Sequence, residues 1–147
     1  MGIISIIKEF RIDSQELNES IAALSFNPKF PHKFSYTHAT KVSIYDVRTK
    51  EKTASLNKFK DYATCITYRP DGKLLLAGEQ GGSAAVFDIA NNSVLRRLKG
   101  HSDSILSCAF SMSKAATGSK DKSIRLWDIA AAECVLTWEN AHNDQVK

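Results

Sequence analysis

Cysteine is scarce in this chain, and its spacing fits neither a disulfide framework nor a metal site. The 147 residues contain three cysteines, Cys65, Cys108 and Cys134. Their number is odd, they form no CxxC pair, and they show no zinc-type spacing with histidine. Cys65 and Cys108 fall in apolar runs, where a free cysteine behaves as a small hydrophobic residue. The sequence therefore predicts free thiols in a reducing, intracellular compartment, with no metal ion and no cofactor.

Long hydrophobic runs are also lacking. The N-terminal segment MGIISIIKEFR has too short an apolar stretch for a secretory signal, and no basic residue precedes it. Ile6 stands where a myristoylation motif requires serine or threonine. No run approaches the roughly 20 apolar residues of a transmembrane helix. These absences predict that the partners of this protein do not include a membrane.

What the chain does contain is one short pattern in three copies. The copies are KVSIYDV (Lys41–Val47), SAAVFDI (Ser83–Ile89) and SIRLWDI (Ser123–Ile129). Each copy is an alternating run that ends in an aromatic residue, an aspartate and an aliphatic residue. Alternation with a period of two predicts strands. A repeat at about 40–45 residues with four strand-like runs per period is typical of a propeller built from four-stranded blades.

This motif and its period resemble the WD-repeat family of β-propellers. The resemblance implies an all-β fold of about three four-stranded blades, in a ring that this chain alone does not close, because the family usually has seven blades. The predicted units are an N-terminal strand and extension at 1–18, blade one at 19–58, blade two at 59–100, blade three at 101–141 and the start of a fourth repeat at 142–147.

The pattern predicts twelve strands within the three blades. They are 21–26, 33–37, 41–46 and 53–56 in blade one, 63–68, 74–78, 83–88 and 94–98 in blade two, and 105–110, 114–118, 123–128 and 134–138 in blade three. A further apolar strand is expected within residues 3–10.

Blade three carries four polar side chains that match the structural tetrad of the WD-repeat family: His101, Thr117, Asp121 and Trp127. The resemblance implies that a neutral His101 donates to Asp121 and accepts from Thr117, which accepts from the Trp127 indole. The same residue types also suit a nucleophile–base–orienter triad. The family places this network inside a blade, away from any substrate, so the sequence predicts no catalytic residues, no small-molecule substrate and no enzyme.

Blades one and two are predicted to lack this tetrad. Phe59 stands where blade three has His101. The positions of Thr117, Asp121 and Trp127 are assigned to Ser35, Ala39 and Tyr45 in blade one, and to Ala77, Gly81 and Phe87 in blade two.

A small positive charge is concentrated in the first part of the chain. The formal net charge is +4, and the surplus lies around Lys50, Lys52, Lys58 and Lys60. Such lysines could contact an RNA backbone, or they could protect exposed strand edges against aggregation. The sequence leaves both interpretations open.

Several segments that depart from the WD-repeat consensus resemble WD-repeat subunits of the small-subunit processome, in its UtpA subcomplex. They are SFNPKFPHKF (Ser25–Phe34) and NKFKDYATCITYRPDGKLLLAG (Asn57–Gly78), in which Phe-Lys-Asp replaces the usual Gly-His. This resemblance implies a non-catalytic scaffold of ribosome biogenesis in the nucleus and nucleolus. Its partners would be other WD-repeat processome subunits, pre-ribosomal RNA and small nucleolar ribonucleoproteins. The alternative function is a generic WD-repeat adaptor, for example one that recognises substrates of a ubiquitin ligase.

Three blades in an open array have two end faces. We expect apolar area to be bare on both, because repeat units bury their faces against neighbours and neither end carries a polar cap. The chain is therefore expected to be part of a longer protein and not to behave as a free monomer.

Overall fold

The computed structural model describes residues 19–29 and 32–143. Within these ranges the chain forms twelve strands and no helix. The strands make three separate four-stranded sheets, each with its strands in sequence order. The predicted all-β architecture of three blades, with no closed ring, is confirmed. The strand predicted within residues 3–10 and most of the predicted start of a fourth repeat lie outside the described residues.

Blade one is an antiparallel meander. Its strands are β1 (Ile21–Phe26), β2 (Lys33–His38), β3 (Lys41–Asp46) and β4 (Glu51–Leu56). All three neighbouring pairs are antiparallel. Connections this short are possible because an antiparallel strand can return after a tight turn.

Blades two and three repeat the same arrangement. Blade two contains β5 (Ala63–Tyr68), β6 (Leu74–Glu79), β7 (Ser83–Asp88) and β8 (Ser93–Lys99). Blade three contains β9 (Ile105–Phe110), β10 (Lys114–Ser119), β11 (Ile124–Asp128) and β12 (Glu133–Trp138). Every predicted strand is present, and the predicted boundaries differ by at most two residues. The largest difference is at β4, which begins at Glu51 because its first residues pair with the end of β3.

The repeated aspartate ends the third strand of each blade and organises the turn that follows. Asp46 Oδ1 accepts from the backbone N–H of Arg48 at 2.8 Å, and Asp88 Oδ1 accepts from that of Ala90 at 2.9 Å. Asp128 Oδ1 accepts from Ala131 N–H at 3.1 Å. These bonds satisfy turn N–H groups, as aspartate side chains commonly do. The bonds to these turns therefore explain why the aspartate recurs in each repeat.

The blades pack face to face through apolar side chains. The cluster between blades one and two contains Val42, Ile44, Leu56, Phe59, Ala63, Ile66, Tyr68, Leu75, Ala77, Ala85 and Phe87. The cluster between blades two and three contains Cys65, Leu74, Leu76, Ala84, Val86, Leu98, Ile105, Ala115, Trp127 and Ile129. Side chains of one strand alternate between the two faces, so β6 sends Leu75 to blade one and Leu74 and Leu76 to blade three. Each blade is thus held by its neighbours.

The outer face of blade one is not bare, contrary to the sequence-based expectation. On the side away from blade two, Phe34, Tyr36 and Tyr45 are only 1–3% exposed. The Phe34 and Tyr45 rings are 5.8 Å apart between centroids, and the Tyr36 and Tyr45 rings are 5.9 Å apart. The partly buried residues packed against them are Ile21, Leu24 and Val47. The expectation of a bare face was wrong here, because these aromatic side chains are buried.

The outer face of blade three does expose apolar side chains. Ile124 and Leu126 of β11 are half-buried there. They pair with Trp138 and Leu136 of β12, which are 47% and 45% exposed. The equivalent face of blade two is covered by blade three. This part of the expectation is confirmed, and apolar surface of this kind favours association.

We expect this exposed face to make the purified chain self-associate. Replacing Leu136 and Trp138 together by lysine should reduce concentration-dependent light scattering, because charge on that face opposes apolar contact. Leu95→Lys, a change at another exposed apolar position, is the control and should leave the scattering unchanged. A wild-type chain that stays monodisperse at all concentrations would contradict this prediction.

Candidate functional site

The four polar side chains predicted in blade three lie in one chain of hydrogen bonds. His101 Nδ1 lies 2.9 Å from Asp121 Oδ2, and His101 Nε2 lies 2.8 Å from Thr117 Oγ1. The Trp127 indole N–H donates to the same Thr117 oxygen at 2.8 Å. A neutral imidazole that donates from Nδ1 and accepts at Nε2 satisfies every member. The network joins the loop before β9, the second strand β10, the turn after it and the third strand β11.

This network is buried inside the blade. Thr117 and Trp127 are 1% and 2% exposed, and His101 is 7% exposed. The Thr117 hydroxyl already donates to one partner and accepts from another, so it has neither access to a substrate nor a free proton. The arrangement is suited to holding strands and loops together, because a buried polar network stabilises only when all its members are paired.

Asp121 is held as a carboxylate in this network. Burial opposes its ionisation, but the Ser123 hydroxyl and N–H, His101 and the Ser102 N–H all donate to it. These bonds outweigh burial and place the pKa of Asp121 well below its ordinary range. A lowered pKa in the folded state stabilises the fold above the unfolded pKa of about 3.9. That contribution is lost as the pH falls below this value.

Replacing Asp121 by alanine should therefore lower the free energy of unfolding by about 1–3 kcal/mol at pH 7, because buried donors lose their acceptor. Urea denaturation at pH 7 and pH 3 measures the free energy of unfolding. The difference in this free energy between the variant and the wild type should be smaller at pH 3. Lys120→Ala, at the exposed neighbouring position, is the control. A neutral Asp121→Ala at pH 7 would show that the network does not stabilise the blade.

In blade one the position of Thr117 is taken by Tyr36, and the sequence-based assignment to Ser35 is wrong. Thr117 pairs with the residue two before Trp127, and Tyr36 pairs with the residue two before Tyr45. Tyr45 follows Tyr36 by nine positions, whereas Trp127 follows Thr117 by ten, and this difference displaced the alignment by one. Ser35 lies on the opposite face of the strand.

Ser35 instead joins blade one to blade two. Its hydroxyl is fully buried and makes a hydrogen bond with the phenol of Tyr68 on β5. Burial raises the pKa of Tyr68 to about 12, although the Ser35 bond opposes this. The phenol therefore stays neutral and can donate across the blade boundary at any ordinary pH.

Blade one has a polar network of its own that sequence reasoning missed. His38, at the end of β2, is 1% exposed. Its Nε2 lies 2.9 Å from the Ser43 hydroxyl, and its Nδ1 lies 3.1 Å from the carboxylate of Glu19. The imidazole thus ties the segment before β1 to the second and third strands.

Blade two uses a carboxylate for the same purpose. Glu79, at the end of β6, is 1% exposed. Its Oε2 accepts from the backbone N–H of Lys60 at 3.0 Å and of Asp61 at 3.3 Å. Its Oε1 makes an ion pair with Arg97 of β8 at 3.2 Å. Glu79 therefore builds the Phe-Lys-Asp loop, in which the sequence contains no Gly-His.

The side chains His38, Glu79 and Ser119 occupy the same place, the last residue of the second strand in each blade. We call them the strand-end anchors. Ser119 is fully buried, donates to the carbonyl of Asp103 at 3.0 Å and accepts from Asp121 N–H at 3.1 Å. A polar residue that ends an apolar strand, as in SYTH, LAGE and ATGS, is the signal by which they could have been found.

The structure does not bring the four surplus lysines into one patch. Lys50 lies in the β3–β4 turn and Lys52 follows at the start of β4, while Lys58 and Lys60 lie beyond its other end. A six-residue strand is about 20 Å long. The lysines therefore form two pairs, all exposed, at opposite ends of blade one.

Within residues 19–29 and 32–143, no group of three His, Cys, Asp or Glu side chains is placed to hold a metal ion. No helix in these ranges is long and apolar enough to cross a membrane. All three cysteines are free thiols.

Comparison with known proteins agrees with this geometry. Residues 92–128 match the family described as WD domain, G-beta repeat. The structure is similar to one titled "Structure of U3-55K", with a TM-score of 0.81 and 20% identity over 86% of this chain and 41% of that chain. This similarity shows the fold.

The sequence comparison gives more specific relatives than the structural comparison does. The U3 small nucleolar RNA-associated protein 15 homolog of Gallus gallus is 35% identical over 87% of this chain, and its Saccharomyces cerevisiae counterpart is 35% identical over 78%. The chain spans about a quarter of the length of these relatives, 25% and 23% respectively. The chain therefore has the fold of a WD-repeat β-propeller, contains one segment that matches the WD-repeat family, and over most of its length is similar to part of U3 small nucleolar RNA-associated protein 15.

Proposed function

We propose that this chain is a non-catalytic scaffold of ribosome biogenesis, acting in the nucleolus with the small-subunit processome. The observation that carries the proposal is its similarity, over 87% of the chain, to a protein named for its association with U3 small nucleolar RNA. The proposed partners are other WD-repeat processome subunits, pre-ribosomal RNA and small nucleolar ribonucleoproteins. A membrane and a small-molecule substrate are not among them.

The polar networks support a scaffold role. In blade three the His101–Thr117–Asp121 group is closed by hydrogen bonds and buried. In blade two the Glu79 carboxylate is used to shape a loop between blades. These groups build the fold and its loops, and the surface presented by the loops is left for partners.

Co-purification tests the proposed function. The tagged chain, expressed in cells of its own species, should recover U3 small nucleolar RNA, pre-ribosomal RNA and other WD-repeat proteins. A chain carrying Leu136→Lys and Trp138→Lys should be run in parallel, because it separates specific partners from proteins held by the exposed face of blade three. Recovery of ubiquitin-ligase subunits without these RNAs would contradict the proposal and support the adaptor.

RNA binding by the lysines is part of the proposal. Because the lysines form two pairs, Lys50→Gln with Lys52→Gln and Lys58→Gln with Lys60→Gln are tested separately on single-stranded pre-ribosomal RNA. For every phosphate that a lysine no longer neutralises, the logarithmic slope of affinity against salt concentration should flatten by about 0.7. Lys99→Gln with Lys122→Gln is the matched control. Unchanged slopes would assign the lysines to the protection of strand edges instead.

A further inference from the structure

A groove lies between blades one and two, at the strand ends that carry the β1–β2, β3–β4, β5–β6 and β7–β8 connections. Its volume is about 710 Å³, within the range of about 300–1,000 Å³ found for ligand sites. Blade one contributes Ile44 and Ala54, and blade two contributes Ile89 and Ala90. Ile44 is 1% exposed, and Ile89 is partly buried against the cluster that contains Ile44, so the two form an aliphatic floor.

One end of the groove is fixed by a bond between the two blades. The amide of Asn27, which is 1% exposed, donates to the carbonyl of Gly72 at 2.9 Å, and its oxygen accepts from Lys29 N–H at 3.1 Å. Gly72 has a φ of +72°, and a Cβ there would come within 2.2 Å of the Asn27 side-chain oxygen. Only glycine allows this approach. The groove is therefore preformed, because its two walls are joined through a buried amide.

The rim of the groove carries a surplus of positive charge. Lys33 stands on the blade-one side and Lys73 on the blade-two side. No described carboxylate lies within ion-pair distance of either ammonium group, whereas Arg69 is neutralised by Asp71 at 2.6 Å. Asp88 is the acidic group of the lining. It accepts from the Ala90 N–H and from a neighbouring asparagine amide, so two cations face one carboxylate.

We propose that this groove binds an extended acidic peptide segment, with one aliphatic side chain on the floor of Ile44 and Ile89 and flanking carboxylates at Lys33 and Lys73. Charge complementarity selects an acidic occupant. A peptide is favoured over RNA because no aromatic side chain of the described residues lines the groove, and single-stranded nucleic acid is held largely by stacking on such side chains. The proposal goes beyond a scaffold role, since it names a surface and the chemistry of its partner.

Fluorescence anisotropy tests the groove, with the dilute full chain and a pool of labelled nonapeptides. The pool has Leu, Ile, Val or Met at the centre and Asp or Glu at the flanking positions. We expect saturable binding to this pool, and binding at least tenfold weaker to a pool with central Ser and to one with flanking Lys. Lys33→Glu with Lys73→Glu should weaken binding to the acidic pool at least tenfold.

Lys99→Glu with Lys122→Glu makes the same change of charge away from the groove and should leave binding within twofold of wild type. Ala90→Trp, which adds bulk at the exposed edge, should weaken binding without changing the circular dichroism spectrum. Absence of saturable binding to the acidic pool would overturn the inference. So would tighter, groove-dependent binding of a labelled uridine decamer, which would assign the groove to RNA. Either result would leave the co-purification test of the proposed function unaffected.

Discussion

Replacing Phe87 by alanine should lower the free energy of unfolding by about 3–5 kcal/mol, the cost of a large cavity in a packed core. Phe87 is completely buried, and its ring centroid lies 5.1 Å from that of Phe59. It holds the position that Trp127 has in blade three, but with no hydrogen bond to make. Its contribution is therefore packing alone, which chemical denaturation measures directly.

A double-mutant cycle with Phe59→Ala separates the ring pair from the cavity. The two changes should be coupled by about 0.5–1.5 kcal/mol, the usual range for an aromatic pair. Phe26→Ala, at a position 55% exposed, is the control and should have little effect. A destabilisation below about 1 kcal/mol for Phe87→Ala would show that the boundary between blades one and two relaxes around the missing ring.

Arg97→Met should also cost about 3–5 kcal/mol, because it leaves the buried Glu79 carboxylate without its cation. Methionine retains most of the apolar stem of arginine, so the effect reports on charge more than on packing. Thermal and urea denaturation at pH 7 measure it. The change also removes the bond from the Arg97 guanidinium to the Lys58 carbonyl.

The control is Glu79→Gln in the Arg97→Met background. With the charge removed, the remaining amide still accepts from the Lys60 and Asp61 N–H groups, so the double variant should be more stable than Arg97→Met. If Arg97→Met costs less than about 1 kcal/mol, the pair behaves like one at the surface. Glu79 would then be stabilised by the loop N–H groups alone.

The repeat made the blades predictable. Successive side chains of a strand point to opposite faces, and the repeated pattern around Asp46, Asp88 and Asp128 located strands to within two residues, although β6 is buried on both faces. The tetrad residues could be aligned because blade three keeps the spacing of the family. In blade one this spacing is nine positions instead of ten, so the same alignment placed Ser35 where the structure has Tyr36.

What sequence reasoning missed depends on contacts between segments far apart in the chain. The link from Glu79 to Lys60 and Asp61 joins residues 18 and 19 apart. The bond between Asn27 and Gly72 spans 45 residues. Neither pair has a periodic pattern. The stacking of Tyr36 with Phe34 and Tyr45 is likewise not indicated by alternation alone.

The strand-end anchors affect which strands assemble into the same blade during folding. Successive blades have the same strand plan, and repeated units of similar sequence are prone to exchange partners and misassemble. Each anchor has a different chemistry and different partners. An imidazole at position 38 requires Glu19, a carboxylate at position 79 requires Arg97, and a hydroxyl at position 119 suits the carbonyl of Asp103.

If the second strand of blade two entered blade one, the Glu79 carboxylate would be buried without Arg97 and would lie close to a second carboxylate, that of Glu19. If the second strand of blade one entered blade two, His38 would face Arg97 and leave the loop N–H groups of Lys60 and Asp61 without an anion. Both errors carry the cost of unpaired buried charge or unsatisfied donors. The polar residue at each strand end thus distinguishes one blade from the next. The apolar faces alone would permit strands to exchange between blades.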